Sequence, residues 1–223
     1  MIIGKGGKTM IFNDRRDAGS RLADALSDYH SDDVIIFALP RGGVVIAAEI
    51  AKKLHAPLDL VITKKIGDPL DDEYAICALA EDGQPICNPS KIGAIDQFWL
   101  AKEITRVRSE IKRRREMYTG EIKEIPVEGK TAIIVDDGIA TGLTMIAAIE
   151  ELRSRNPRKI VVAIPVTPYQ TAQKLKLLAD DLVSLSSDSN YLGSVGAYYK
   201  DFDQVNDDEI ISLLKSRSEE FSN

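Results

Sequence analysis

Apolar residues in this chain fall in short unbroken runs, separated by polar and glycine-bearing turns. Val34 to Leu39, Leu58 to Thr63, Ala132 to Val135, Ile160 to Val166 and Leu182 to Leu185 are almost wholly apolar. Runs without in-and-out alternation predict strands covered on both faces. Between them the spacing changes to three and four. Val44 to Leu54, Leu143 to Leu152, the stretch after Tyr169 to Leu178 and Asp207 to Lys215 then read as helices. Met145, Ile146, Ile149 and Leu152 share one helical face, and Ala18, Leu22, Ala25 and Leu26 mark an earlier one. Alternating strands and helices predict an α/β fold: a mostly parallel central sheet with helices on both faces. Crossovers in such a sheet are right-handed, and ligands bind at the carboxyl ends of its strands.

Residues 67–120 break that rhythm. Asp68-Pro69-Leu70-Asp71-Asp72-Glu73 is acidic and turn-like. Ala75 to Ala80 and Pro85 to Cys87 read as a hairpin across Glu81-Asp82-Gly83-Gln84. Asp96 to Tyr118 reads as a long charged helix with Phe98, Ile104, Val107, Ile111 and Tyr118 turned inward. Its run Lys112-Arg113-Arg114-Arg115 is the most basic in the chain. A solvated helix face is the plain account of it; phosphate, RNA or a partner subunit is the sharper one.

At 223 residues the length suits one domain, 1–223, with 67–120 as an inserted loop and helical hood. The net charge of −6 argues against a general nucleic-acid binder. No apolar run approaches a membrane span, and the first residues lack the apolar core of a signal peptide. Those features, with only two cysteines, Cys77 and Cys87, predict a cytoplasmic protein in a reducing interior. The cysteines are expected to be core residues flanking the hairpin. His30 and His55 stand far apart in the sequence and form no zinc pattern. Gly7-Lys8-Thr9 resembles the end of a P-loop, but the required first glycine is Ile2 and no strand precedes it.

The chemistry concentrates in Ala132 to Thr144. A buried strand ends in two adjacent carboxylates, Asp136 and Asp137, followed by Gly138-Ile139-Ala140-Thr141-Gly142-Leu143-Thr144 and a helix. A small-residue loop opening a helix is an anion site, because its amides and the helix dipole point at the ligand. The hydroxyls of Thr141 and Thr144 can donate to the same anion. The carboxylates would repel it and suit a vicinal diol or a metal. A phosphate one ribose-length from a diol describes a 5-phosphoribosyl group. A second strand–turn–helix unit carries Pro40-Arg41-Gly42-Gly43, whose glycines admit a ligand close to the backbone and whose arginine can fork onto phosphate. Lys64 and Lys65 follow a third strand.

The thirteen residues from Ala132 to Thr144 resemble the phosphoribosyl-diphosphate (PRPP) motif of type I phosphoribosyltransferases. That motif has an apolar run, two acids, two variable positions, a small residue, Thr, Gly, any residue, and Thr or Ser. Gly138 is a less usual choice after the acids. The resemblance covers most of Val34 to Pro168, and implies transfer of a phosphoribosyl group from Mg-PRPP to a nitrogen acceptor, such as a nucleobase. It implies Asp136, Asp137 and Arg41 as catalytic residues. Gly138, Ile139, Ala140, Thr141, Gly142 and Thr144 would hold the 5-phosphate. Arg41, Gly42, Gly43, Lys64 and Lys65 would hold pyrophosphate, with a non-proline cis bond in the Pro40-Arg41-Gly42 region. Thr167, Pro168 and Tyr169 would border the acceptor. Mg²⁺ would ride mainly on PRPP, with Asp136 and Asp137 able to assist. Gly67 to Tyr74 would close over substrate, and Phe12-Asn13-Asp14-Arg15 would lead into a first, structural helix capped by Asn13 or Asp14. Tyr191, Tyr198, Tyr199 and Phe202 would pack a C-terminal flap or stack on a base. The family allows a homodimer. The alternative is a PRPP- or nucleotide-binding regulator without turnover; a receiver-like Mg²⁺ module leaves the Thr-Gly loop unexplained.

Overall fold

The computed structural model describes residues 10–30, 33–120, 122–188 and 191–221; Gly7-Lys8-Thr9 lies outside them. In chain order the elements are α1 (Arg15–Ala25), β1 (Val34–Ala38), α2 (Gly42–Leu54), β2 (Leu58–Leu60), β3 (Lys64–Asp68), β4 (Asp71–Leu79), β5 (Ile86–Cys87), α3 (Pro89–Ile92), α4 (Gln97–Thr119), β6 (Thr131–Val135), α5 (Leu143–Ser154), β7 (Lys159–Pro168), α6 (Tyr169–Leu175), β8 (Asp181–Asp188) and α7 (Asp207–Phe221).

Five strands form a wholly parallel sheet in the order β2-β1-β6-β7-β8. Its strands read as unbroken apolar runs because both faces are covered. Ile36, Ala38, Ile133 and Val135 face a core with Leu22 of α1, Ile46 and Ile50 of α2 and Leu214 of α7. The alternate residues Ile35, Phe37, Ala132 and Ile134 face Met145, Ile149 and Leu152 of α5 and Leu175 of α6. The α/β architecture with helices on both faces is therefore the observed one. Pairing of Ala38 with Val135 sets the ends of β1 and β6 side by side. The two glycine-bearing loops leave the sheet from those ends.

Residues 64–87 hold a second sheet, antiparallel, in the order β3-β4-β5. Its alanines Ala78 and Ala80 meet Ala147 of α5, so small side chains let this sheet lie close to the helix that follows the acidic loop. The expected run Leu58 to Thr63 yields a strand only to Leu60. Lys64 to Asp68, expected as a strand-end loop, pairs with β4 instead. Leu70, at the tip of that hairpin, is 97% exposed.

Three further expectations are corrected. Phe98, expected on the inner side of α4, is 83% exposed. Asp96 accepts the amide of Trp99 and starts the helix there, which sets Leu100, Val107, Ile111 and Tyr118 on the inner face. Phe98, two residues before Leu100, then points about 200° away. Cys77 and Cys87, expected as core residues flanking the hairpin in a reducing interior, sit opposite each other on β4 and β5 and are joined by a disulfide. The expected reducing interior loses the support of their number. The basic run is not one solvated face. Arg114 pairs with Glu110, whereas Arg115 turns inward to the Leu60 carbonyl at 2.8 Å and Asp59 at 3.0 Å.

Candidate active site

The site begins with how closely two loops approach. Leu39 N–H donates to the Val135 carbonyl at 2.9 Å, extending the β1–β6 ladder to the strand ends. One residue further on, the Pro40–Arg41 peptide bond is cis. α2 then starts at Gly42, beside the acids. A Cβ on Gly43 would stand 2.8 Å from the Val135 carbonyl and 3.0 Å from Asp136 Cα. A Cβ on Gly42 would overlap Asp137 Oδ2 at 1.8 Å. Both positions need glycine because another backbone and a carboxylate occupy the space of a side chain.

The carboxylates are held differently. Asp136 Oδ1 accepts the Asp137 amide at 2.8 Å. Burial and the neighbouring Asp137 push the Asp136 carboxyl well above the usual carboxylate range. Burial also raises Asp137, while the Arg15 guanidinium beside it pulls the other way. Arg15 Nε donates to Asp137 Oδ2 at 2.8 Å, Arg15 Nη1 donates to the Asp203 carbonyl at 2.7 Å, and the guanidinium lies 3.8 Å over the Phe202 ring. Tyr199 Oη donates to the Asp137 carbonyl at 2.6 Å, and burial pushes its hydroxyl above the usual phenol range. Phe202 stacks on Tyr199 as well, so the C-terminal aromatics build a flap over the acids.

Beyond the acids, Gly138 to Gly142 form an open loop. The Ile139 amide is tied to the Val166 carbonyl at 3.0 Å, and the Ala140 carbonyl accepts from Thr171 Oγ1 at 2.9 Å. Gly142 takes φ +87° at the N-cap of α5, a conformation that suits glycine. Ala140 and Thr141 are exposed and Thr144 is half-buried in the first turn of α5. Gly138, Ile139 and Gly142 are buried, so Ala140 and Thr141 are the loop residues that face water at this helix N-terminus, which can receive an anion.

The fold thus brings Gly42, Gly43, Asp136 and Asp137 together, with Gly138 to Thr144 continuing from the acids. The proposed cations are less concentrated. Arg41 Nη1 lies 3.5 Å from the Val205 carbonyl and 3.7 Å from Asp207. Lys64 pairs with Glu110 of α4, and Lys65 is exposed on β3. Thr167 is buried at the end of β7, Pro168 is half-buried and Tyr169 is 51% exposed. A cavity of about 800 Å³ lies elsewhere, between Tyr118, Ile122, Ile125, Ile211 and Phe221. The residue missed from sequence is Arg15. Asp14 does cap α1, accepting the Asp17 amide at 2.8 Å, and so places Arg15 in the first turn. Nothing local signals that its side chain reaches an acid 122 positions away.

Residues 11–201 match the model of a family described as the phosphoribosyl transferase domain. A Mycobacterium tuberculosis protein provisionally named a phosphoribosyl transferase is 36% identical over 214 residues, covering 95% of this chain and 48% of its own length. The chain therefore spans about half the length of the curated relatives it matches first. The crystal structure of TT1426 from Thermus thermophilus is similar at 37% identity and a TM-score of 0.80, over 93% of this chain and 99% of that one. A Sulfolobus acidocaldarius ribose-phosphate pyrophosphokinase is 29% identical over 103 residues, 44% of this chain and 35% of its own.

Proposed function

The chain belongs to the phosphoribosyl transferase domain family, and from that premise we propose that it binds Mg-PRPP and transfers the phosphoribosyl group to a nitrogen acceptor, a nucleobase by preference. The observation that supports this most directly is the packing of the Gly42–Gly43 turn on the strand-end acids, with an anion-receptive helix start next along the chain. A diphosphate, a diol and a phosphate on one pentose need three such subsites in that neighbourhood.

In this reading the C1–O bond to diphosphate breaks, a C1–N bond forms, and the acceptor nitrogen loses its proton to solvent. Positive charge builds on the ribose as diphosphate departs. Asp136 and Asp137 accept the ribose hydroxyls and favour that charge. The amides and hydroxyls from Gly138 to Thr144 hold the 5-phosphate and fix C1 relative to the acceptor. Gly42 and Gly43 amides, with Arg41, receive the diphosphate; Lys64 or Lys65 joins them after movement of β3. Thr167 to Tyr169 border the acceptor. The donor set fits Mg²⁺ in a supporting role: Asp137 gives one oxygen to Arg15, so ligand oxygens and water would fill most of its shell, with Asp136 and Asp137 assisting. Bound there, Mg²⁺ would neutralise charge on the leaving diphosphate.

The test is the melting temperature with and without Mg²⁺ and PRPP, followed by a nucleobase panel read by pyrophosphate release. Ligand at a hundred times its dissociation constant adds about 2.7 kcal/mol of stability. A shift with PRPP and release with one base establishes the transferase. A shift without release on any acceptor replaces it with a PRPP-binding regulator. No shift at saturation removes the site assignment.

A further inference from the structure

Arg15 is a largely buried cation that the reaction above does not use. Its side chain is 12% exposed and that of its partner Asp137 is 17% exposed. The pair rests on the glycine turn: a Cβ on Gly42 would stand 1.8 Å from Asp137 Oδ2 and 2.8 Å from Arg15 Nε. Arg15 therefore touches both the acidic loop and the turn assigned to diphosphate. Arg41 leans towards Val205 and Asp207, and Lys64 is paired with Glu110. Arg15 Nη2 makes no hydrogen bond among the described residues. Phe202 and the Asp203 carbonyl hold the guanidinium in place.

A desolvated ion pair is costly to open from one side, because the abandoned charge stays buried without a partner. A ligand offering only hydroxyls to Asp137 would strand Arg15. A ligand with a diol and an adjacent anion can replace both partners together. We propose that Arg15 is a substrate-contacting residue, which takes the diphosphate on C1 as the ribose hydroxyls take Asp137, so that the ion pair is exchanged for two ligand contacts. This rests on the Mg-PRPP reading of the site. It makes Arg15, beside the Gly42–Gly43 turn, a residue that separates PRPP from ribose 5-phosphate, which has the same hydroxyls and 5-phosphate but no diphosphate. The guanidinium fork would also meet the charge that grows on the departing group.

The experiment is calorimetric titration of wild type, Arg15→Gln and Arg15→Lys with PRPP, ribose 5-phosphate and pyrophosphate, each with Mg²⁺. The melting temperature of each variant is the check on folding. The wild type is expected to prefer PRPP to ribose 5-phosphate. Arg15→Gln is expected to lose about tenfold or more in affinity for PRPP and pyrophosphate, with ribose 5-phosphate unchanged or tighter. Arg15→Lys should fall between, since it keeps the charge and loses the fork; if Arg15→Gln does not fold, the same selective loss in Arg15→Lys decides the matter. Equal loss for all three ligands, or no loss for any, overturns the role of Arg15 while leaving the site reading intact. A wild type that binds none of the three overturns both.

Discussion

Two largely buried arginines in this fold share a geometry and differ in what surrounds it. Arg115 meets Asp59 at 3.0 Å and the Leu60 carbonyl at 2.8 Å; Arg15 meets Asp137 at 2.8 Å and the Asp203 carbonyl at 2.7 Å. Around Arg115 the acids are saturated. Asp59 also accepts the amides of Leu60 and Ile125, and Glu81, 3.7 Å from Arg115, accepts that of Ile62. Burial raises the Glu81 carboxyl, and Arg115 is the main influence opposing it. Around Arg15 the acids are in conflict. Asp137 lies against Asp136, a second buried carboxyl whose ionisation its neighbour disfavours. The first cluster ties α4 to the edge strand. The second has one cation for two carboxyls and leaves polar capacity for a ligand.

The largest effect that can test this contrast is on stability. Arg115→Met strands Asp59 and Glu81 and should cost about 3–5 kcal/mol in chemical denaturation. PRPP affinity of the surviving folded protein should be unchanged. A loss of PRPP affinity without a loss of stability would reverse the roles given to the two arginines. Next, Gly42→Ala forces a methyl into Asp137 Oδ2 and displaces the acid from Arg15. Turnover should drop about a hundredfold, the scale expected of an ångström of misplacement, with a much smaller change in melting temperature. Normal turnover would show that the loop gives way without disturbing the acids.

A smaller effect, opposite in sign, is expected at Asp136. Its folded carboxyl titrates above the unfolded one, so its favourable contribution is full below the usual carboxylate range and is lost as pH rises through the folded value. At neutral pH its burial is a liability, because the unfolded group ionises more readily than the folded one. Asp136→Asn keeps an oxygen for the Asp137 amide and should raise the melting temperature near neutral pH, the gain shrinking as pH falls into the carboxylate range. A gain independent of pH would mean that ionisation is not its source. Arg114→Ala, which removes a peripheral partner of Glu110, should change stability by no more than about 0.5 kcal/mol. A loss of several kcal/mol there would show that the helix surface, not the inward Arg115, anchors α4.

This contrast is legible in the sequence on one side only. The sheet is readable because its strands are apolar on both faces, and that pattern is local. The acids and the Thr-Gly loop are readable because one continuous segment makes strand end, turn and helix start. Arg115 is hidden inside Lys112-Arg113-Arg114-Arg115, where sequence shows four like charges and only the helix phase turns one inward. Arg15 is hidden by distance along the chain, and its capping neighbour Asp14 gives it a plausible structural role. The disulfide escapes for a different reason: register, not composition, decides whether two hairpin cysteines face each other.

The clasp over Asp137 joins two segments far apart in the chain, Phe12 to Arg15 and Tyr198 to Asp203. Phe12 exchanges backbone hydrogen bonds with Tyr198 and Lys200, and the Arg15 contact to Asp203 closes a span of 188 positions. During synthesis the segment from Ala132 to Thr144 emerges well before Tyr199 and Phe202. A chain stalled between them can hold the motif in its folded sheet and still lack the flap that seats Arg15. Closing so long a span is entropically slow relative to local turns. Completion of the pocket is thus tied to the arrival of Tyr199 to Asp203, and full ligand protection should distinguish chains that extend past Asp203 from those that stop short of it.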